Sequence, residues 1–125
     1  MTTTLYVFTG TGNSLAAAEL LAQKLGDTVI ESIPILMKKA GPVIPDSPKV
    51  GFIFPVNYSG LPLILSKFIP RISLSHVSYT FAVATAGGIG RYALLQLDTL
   101  LKENGSLLQA GWMVRMVDNY IPYGG

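Results

Sequence analysis

Thr9, Thr11, Asn13 and Ser14 fall within six residues, "TGTGNS", and are separated by Gly10 and Gly12. The two glycines permit positive φ and close approach of a ligand to bare backbone. The alanine- and leucine-rich run that follows predicts a helix, whose start adds unpaired N–H groups and the positive end of a dipole. Together these groups form a nest of neutral donors suited to a phosphate monoester, even though the stretch holds no Lys or Arg. The bland alternative is a turn that merely caps the helix. Other anion motifs fit less well. A Walker loop needs Gly-Lys-Ser/Thr, and the first Lys is Lys24; a dinucleotide fingerprint needs a third Gly where Leu15 stands. A phosphoacceptor domain of the response-regulator type needs aspartates at strand ends, where Thr9 and Pro55 occur.

For these groups to act, a strand must end at them and a helix begin. The continuous apolar run Leu5 to Phe8 suits a strand buried on both faces of a parallel sheet, as do Val50 to Phe54 and Phe81 to Thr85. Thr28 to Ile33, interrupted by Glu31 and ended by Pro34, reads as an edge strand. A last strand lies within Leu107 to Val117, with Gly111 suggesting a bend or bulge. Helices are expected over Ser14 to Gly26, with Leu15, Ala18, Leu21, Ala22 and Leu25 on the inner stripe, over about two turns between Pro62 and Pro70, and from about Gly90 to Asn104. In the last of these Asp98 precedes Lys102 by four residues, the favourable order for an exposed pair. Pro34 to Lys49 holds four prolines and predicts an irregular crossover with at most one helical turn.

Strands alternating with helices predict an open, mostly parallel α/β sheet. Ligands of such sheets bind beyond the carboxyl ends of the strands, near the switch in strand order. That rule selects three loops: Thr9 to Ser14, Pro55 to Gly60, and Ala86 to Arg91.

Composition removes other classes. The 125 residues are half hydrophobic and make one domain; only 13% are charged, so apolar surface must be covered by packing, a ligand, a partner or further sequence. A net charge of +2, with only Lys38 and Lys39 adjacent, gives no support to nucleic-acid binding. No Cys is present, so thiolate metal sites and disulfides are excluded within the chain; His76, the one histidine, reads as part of a polar surface turn, so neither Ser-His-Asp hydrolysis nor a metal site is expected. The amino terminus lacks the marks of a signal peptide and no apolar run approaches membrane-spanning length, so a cytoplasmic protein is expected.

The chain resembles the flavodoxins, and more closely a flavodoxin-like domain that bacterial fusion proteins place before a ferredoxin-type domain with two four-iron clusters. The resemblance rests on "FTGTGNS", "GFIFPVNYSGLP", "FAVATAGGIG" and "MVDNYIP", and spans essentially the whole chain. It implies a doubly wound five-stranded parallel sheet of order 2-1-3-4-5, bound FMN, and transfer of one or two electrons between redox partners. By this resemblance Thr9, Gly10, Thr11, Gly12, Asn13 and Ser14 hold the FMN 5′-phosphate. Pro55, Val56, Asn57, Tyr58, Ser59 and Gly60 lie along the flavin, Tyr58 against the ring and the Ser59–Gly60 peptide at N5, where it tunes the potential. Tyr58 reads equally well as a packing tyrosine. Thr85, Ala86, Gly87, Gly88 and Gly90 border the other side of the ring. Arg91 is either a partner for charge near flavin N1 or an ordinary first-turn arginine. Asn119 and Tyr120 are rim contacts, and Trp112 belongs to the core or to an uncovered sheet face.

Departures from the pattern matter too. Relatives among the fusion proteins often carry Cys where this chain has Ala86, and many flavodoxins are acidic where this chain is slightly basic. Flavodoxin domains end with a helix that returns across the sheet, whereas this sequence stops at "NYIPYGG" without it and without a ferredoxin domain. A truncated domain, residues 1–125, is therefore expected, with exposed apolar surface that favours a homodimer or cover by another chain. An electron carrier working with a ferredoxin-type domain or a reductase is expected rather than a stand-alone enzyme. The alternatives are an NAD(P)H-dependent FMN or quinone reductase, and a cofactor-free interaction domain of the same fold.

Overall fold

Every residue from Thr3 to Val7 is buried, the mark of a strand covered on both sides. In the computed structural model, which describes residues 2–10, 12–56, 60–86 and 91–115, this strand, β1, lies inside a sheet with β2 (Thr28–Ser32), β3 (Lys49–Val56), β4 (Tyr79–Ala86) and β5 (Ala110–Arg115). The order is β2-β1-β3-β4-β5 and every pairing is parallel. Helices α1 (Asn13–Leu25), α2 (Ile33–Met37), α3 (Leu63–Phe68) and α4 (Arg91–Glu103) make the crossovers, and a 3-10 turn, Ile69–Arg71, extends α3.

Alternation along the strands divides the core. Leu5, Val7, Ile53, Phe81 and Val83 face α1, whereas Tyr6, Phe52, Phe54, Ala82 and Ala84 face the side of α2, α3 and α4. On that second side Tyr6 packs against Phe68 with ring centroids 5.4 Å apart. Burial pushes the Tyr6 phenol well above its ordinary range, with the charges of Glu31 and Asp46 adding to the effect.

Several elements differ from the sequence expectation. The expected stripe of α1 holds in its middle and fails at its ends: Ala18 is buried, with Ser14 beside it, and Leu21 and Ala22 are half-buried, whereas Leu15 and Leu25 are 40% and 45% exposed. Its leucines occur around more than one face, so periodicity alone does not choose. Small residues there let the helix lie close to the sheet. Ile33 leaves β2 for α2, because the Ser32 hydroxyl accepts the Ile35 N–H (3.3 Å) and Pro34 suits a first helical turn. Gly111 makes no bulge: β4 and β5 pair in unbroken register from Phe81↔Ala110 to Ala86↔Arg115. A Cβ at Gly111 would stand 3.2 Å from Leu94, so the glycine makes room for α4. The proline-rich crossover contains the one short helix allowed for it, and the Arg71 guanidinium pins it by donating to the carbonyls of Met37 (3.3 Å), Lys39 and Gly41 (2.8 Å). The Asp98–Lys102 pair forms at 3.0 Å. His76 and Lys38 are exposed and Trp112 is 52% exposed on the sheet. Among the described residues, no helix is long and apolar enough to cross a membrane.

Candidate functional site

Chain order runs from β1 outward to β2 and then back past β1 to β3, so the sheet reverses direction between β1 and β3. Thr9 to Ser14 and the segment that returns at Gly60 follow the carboxyl ends of these two strands.

Gly12 is the N-cap of α1 and adopts the left-handed conformation, φ 96°, which an L side chain would resist. Its N–H is held by the Thr9 hydroxyl oxygen at 2.8 Å, so Thr9 closes the loop while its own hydroxyl hydrogen stays available. Among the described residues no side chain caps α1, and no acid lies in its first turn. The first intrahelical bond of this end is Ala16 N–H to Gly12 O, 3.0 Å, which leaves the N–H groups of Asn13, Ser14 and Leu15 without helical acceptors. Among the described residues, a Cβ built on Gly10 or Gly12 meets nothing within 4 Å. This donor set fits an oxyanion.

Ser14 plays a different part from the one its hydroxyl suggests. It is 1% exposed, and its Oγ lies 3.0 Å from Thr85 Oγ1 at the end of β4. Thr85 donates to the Phe54 carbonyl at 3.4 Å, which makes Ser14 the donor in its own pair. The Ser14 hydroxyl thus ties the start of α1 to β4 and β3.

The second and third loops are shorter than the sequence suggests, because β3 runs on through Pro55 and Val56 and β4 through Thr85 and Ala86. A proline is tolerated inside β3 because β1 has already ended. Phe8 N–H donates to Ile53 O at 2.9 Å, so residue 55, two further on, faces the same side beyond the last rung. Gly60 has φ 83°, and a Cβ there would collide with the Gln96 side chain and stand 3.3 Å from the Tyr92 ring. The Gln96 carboxamide oxygen accepts the Leu61 N–H at 2.9 Å, fixing the return of the second loop to α4. Phe8, Pro55, Gly60, Leu61 and Gln96 are among the residues lining a cavity of about 690 Å³ beside this loop. Tyr92, 60% exposed, stands next to Gly60.

Sequence reasoning passed over Gln96 and Tyr92; their four-residue spacing places both on one helix face, but nothing local links that face to Gly60. Arg91 opens α4 and is exposed. Thr11, Asn57, Tyr58, Ser59, Gly87, Gly88, Gly90, Asn119 and Tyr120 lie outside the described residues, as does the Ala86 side chain.

A protein from Bacteroides uniformis ATCC 8492, solved by crystallography and described as a flavoprotein, superposes with a TM-score of 0.73 at 18% identity, over 94% of this chain and 92% of its own. The flavodoxin of Megasphaera elsdenii, solved in its two-electron reduced form, gives 0.61 at 14% identity, over 96% and 90% of the two chains. The fold is flavodoxin-like. No protein-family model matches the chain, and no curated protein does.

Proposed function

We propose that this chain is an FMN-binding electron-transfer domain that passes one or two electrons between protein redox partners, a ferredoxin-type domain or a reductase. The observation that carries the reading is the acid-free start of α1 beside the switch point, where the Thr9 hydroxyl closes the loop and the N–H groups of Asn13, Ser14 and Leu15 have no helical acceptor. A phosphate monoester matches it in charge and in number of acceptors. When bound, the flavin supplies the one- and two-electron redox chemistry. The chain's own residues bind and orient: Thr9 and the backbone of Gly12 to Leu15 hold the phosphate, and Ser14 holds that loop to Thr85. Gly60, kept in place by the Leu61–Gln96 hydrogen bond, supplies a side-chain-free turn where the ring must approach backbone. The Ser59–Gly60 peptide and the 85–90 segment complete the proposed ring site.

Titration of the purified chain with FMN, followed by quenching of flavin fluorescence, tests this directly. FMN should bind and riboflavin should bind more weakly, since only FMN carries the phosphate. Thr9→Ala removes a hydrogen bond to a charged group, so FMN affinity should fall roughly tenfold or more while riboflavin affinity is nearly unchanged. Equal losses for both ligands contradict the phosphate assignment, and absence of quenching by either removes the flavin reading altogether.

A further inference from the structure

A second concavity lies on the sheet face that α2 covers. Thr4 and Tyr6 of β1 stand in register with Val29 and Glu31 of β2, and the alternation of the strands turns all four to the same face. Opposite them the proline-rich crossover passes from Lys39 to Ser47. The space between is a cleft of about 520 Å³. It lies at the β2 edge, at the other end of the sheet from β5 and on the face away from α1.

Its polar groups are not consumed by the fold. Tyr6 is 2% exposed. Among the described residues its hydroxyl makes no hydrogen bond, and no side-chain polar atom sealed from solvent lacks a partner, so this hydroxyl opens onto the cleft it lines. A buried phenol without a protein partner costs stability relative to Phe unless something in the cleft meets it. Glu31 and Asp46 border the same space, are exposed, and pair with no base among the described residues. The charges acting on the phenol are those of these two carboxylates, so both lie within electrostatic reach of it. Of the two bases on the lining, Arg71 is turned to the carbonyls of Met37, Lys39 and Gly41, and Lys39 is exposed. Around the phenol the unmet groups are therefore two carboxylates and a hydroxyl oxygen, a set that favours a cation able to donate hydrogen bonds. Leu36, Val43 and Ile44 line the rest with hydrocarbon, which suits an organic cation better than a hydrated metal ion. We infer that the cleft between the β1–β2 pair and the crossover binds a small primary ammonium with a short carbon chain, its N–H groups shared among Tyr6, Glu31 and Asp46. No residue of Thr9 to Ser14 or of the Gly60 turn lines this cleft, so the site is independent of flavin binding.

The test follows backbone amide shifts of the isotope-labelled chain as pentylamine, pentanol or pentanoate is added, probes of equal length and different charge. Pentylamine should move the amides of Tyr6, Glu31 and Ser47 saturably and bind about tenfold more tightly than pentanol, with pentanoate weaker still. Tyr6→Phe keeps the ring packing on Phe52 and Phe68 and should leave the urea midpoint unchanged or raised, while pentylamine affinity falls roughly fivefold or more. Glu31→Gln, at an exposed position, should weaken pentylamine and leave pentanol unchanged, which keeps the test decisive if Tyr6→Phe impairs folding. Equal binding of pentylamine and pentanol overturns the inference, as does tighter binding of pentanoate. So does pentylamine binding that neither substitution alters, or movement of the same amides by calcium and not by pentylamine.

Discussion

Single residues at this site act mainly by what they leave unmade. The Thr9 hydroxyl accepts the Gly12 N–H and the Ser14 hydroxyl bonds Thr85, so each hydroxyl shapes the loop, while the N–H groups of Asn13, Ser14 and Leu15 have no helical acceptor. Glycines matter where backbone is approached, and Gly51 is the sharpest case in the core. A Cβ there would lie 2.6 Å from Phe81 Cε2 and 2.8 Å from Leu5 Cδ2, inside van der Waals contact. Gly51→Ala should therefore destabilise the fold by about 1–3 kcal/mol, read as a lowered urea midpoint with the slope preserved. A midpoint equal to that of the parent would show that the Phe81 ring moves aside freely.

At the scale of elements, the return from α4 to β5 depends on Asp98. Its carboxylate accepts the Leu108 N–H at 2.9 Å and pairs with Lys102 at 3.0 Å. The backbone hydrogen bond, aided by the lysine and opposed by slight desolvation, holds its carboxyl below the ordinary aspartate range. The folded state thus binds this proton less readily than the unfolded chain. The stabilisation is complete above the unfolded value and is lost as pH falls through the lower, folded one. Exposure limits it to about 1 kcal/mol or less. Urea midpoints measured from neutral to acid pH should fall more steeply for the parent than for Asp98→Asn; parallel curves would remove Asp98 from the link.

Across the whole molecule, burial is graded from the centre of the sheet outward. β1 is buried throughout, β2 alternates between half-buried and exposed, and Gly111 to Val114 of β5 are exposed. Amide exchange should accordingly be slowest in β1 and the core of β3, and faster in β2 and β5, as mass spectrometry of exchanged peptides would resolve. Binding of FMN should slow exchange at the start of α1 and near Gly60. Uniform protection across all five strands would contradict a core centred on β1 and β3.

Much of the fold was legible because its signals are local. Continuous apolar runs marked three of the strands, Pro and Gly marked ends of elements, and the hydroxyl-glycine alternation at Thr9 to Ser14 marked a turn between a strand and a helix. The order 2-1-3-4-5 followed from the family resemblance, and the sheet has it. Periodicity did not settle which side of α1 faces inward, since leucines at 15, 20, 21 and 25 serve more than one face. Nor could local pattern show that Ser14 bonds Thr85, that Gln96 holds Leu61, or that Arg71 pins the proline-rich crossover. These contacts join residues tens of positions apart, and their partners are chosen by how helices settle on the sheet. Local chemistry determined what the first loop can bind; tertiary packing decided which of its groups remain free to bind it.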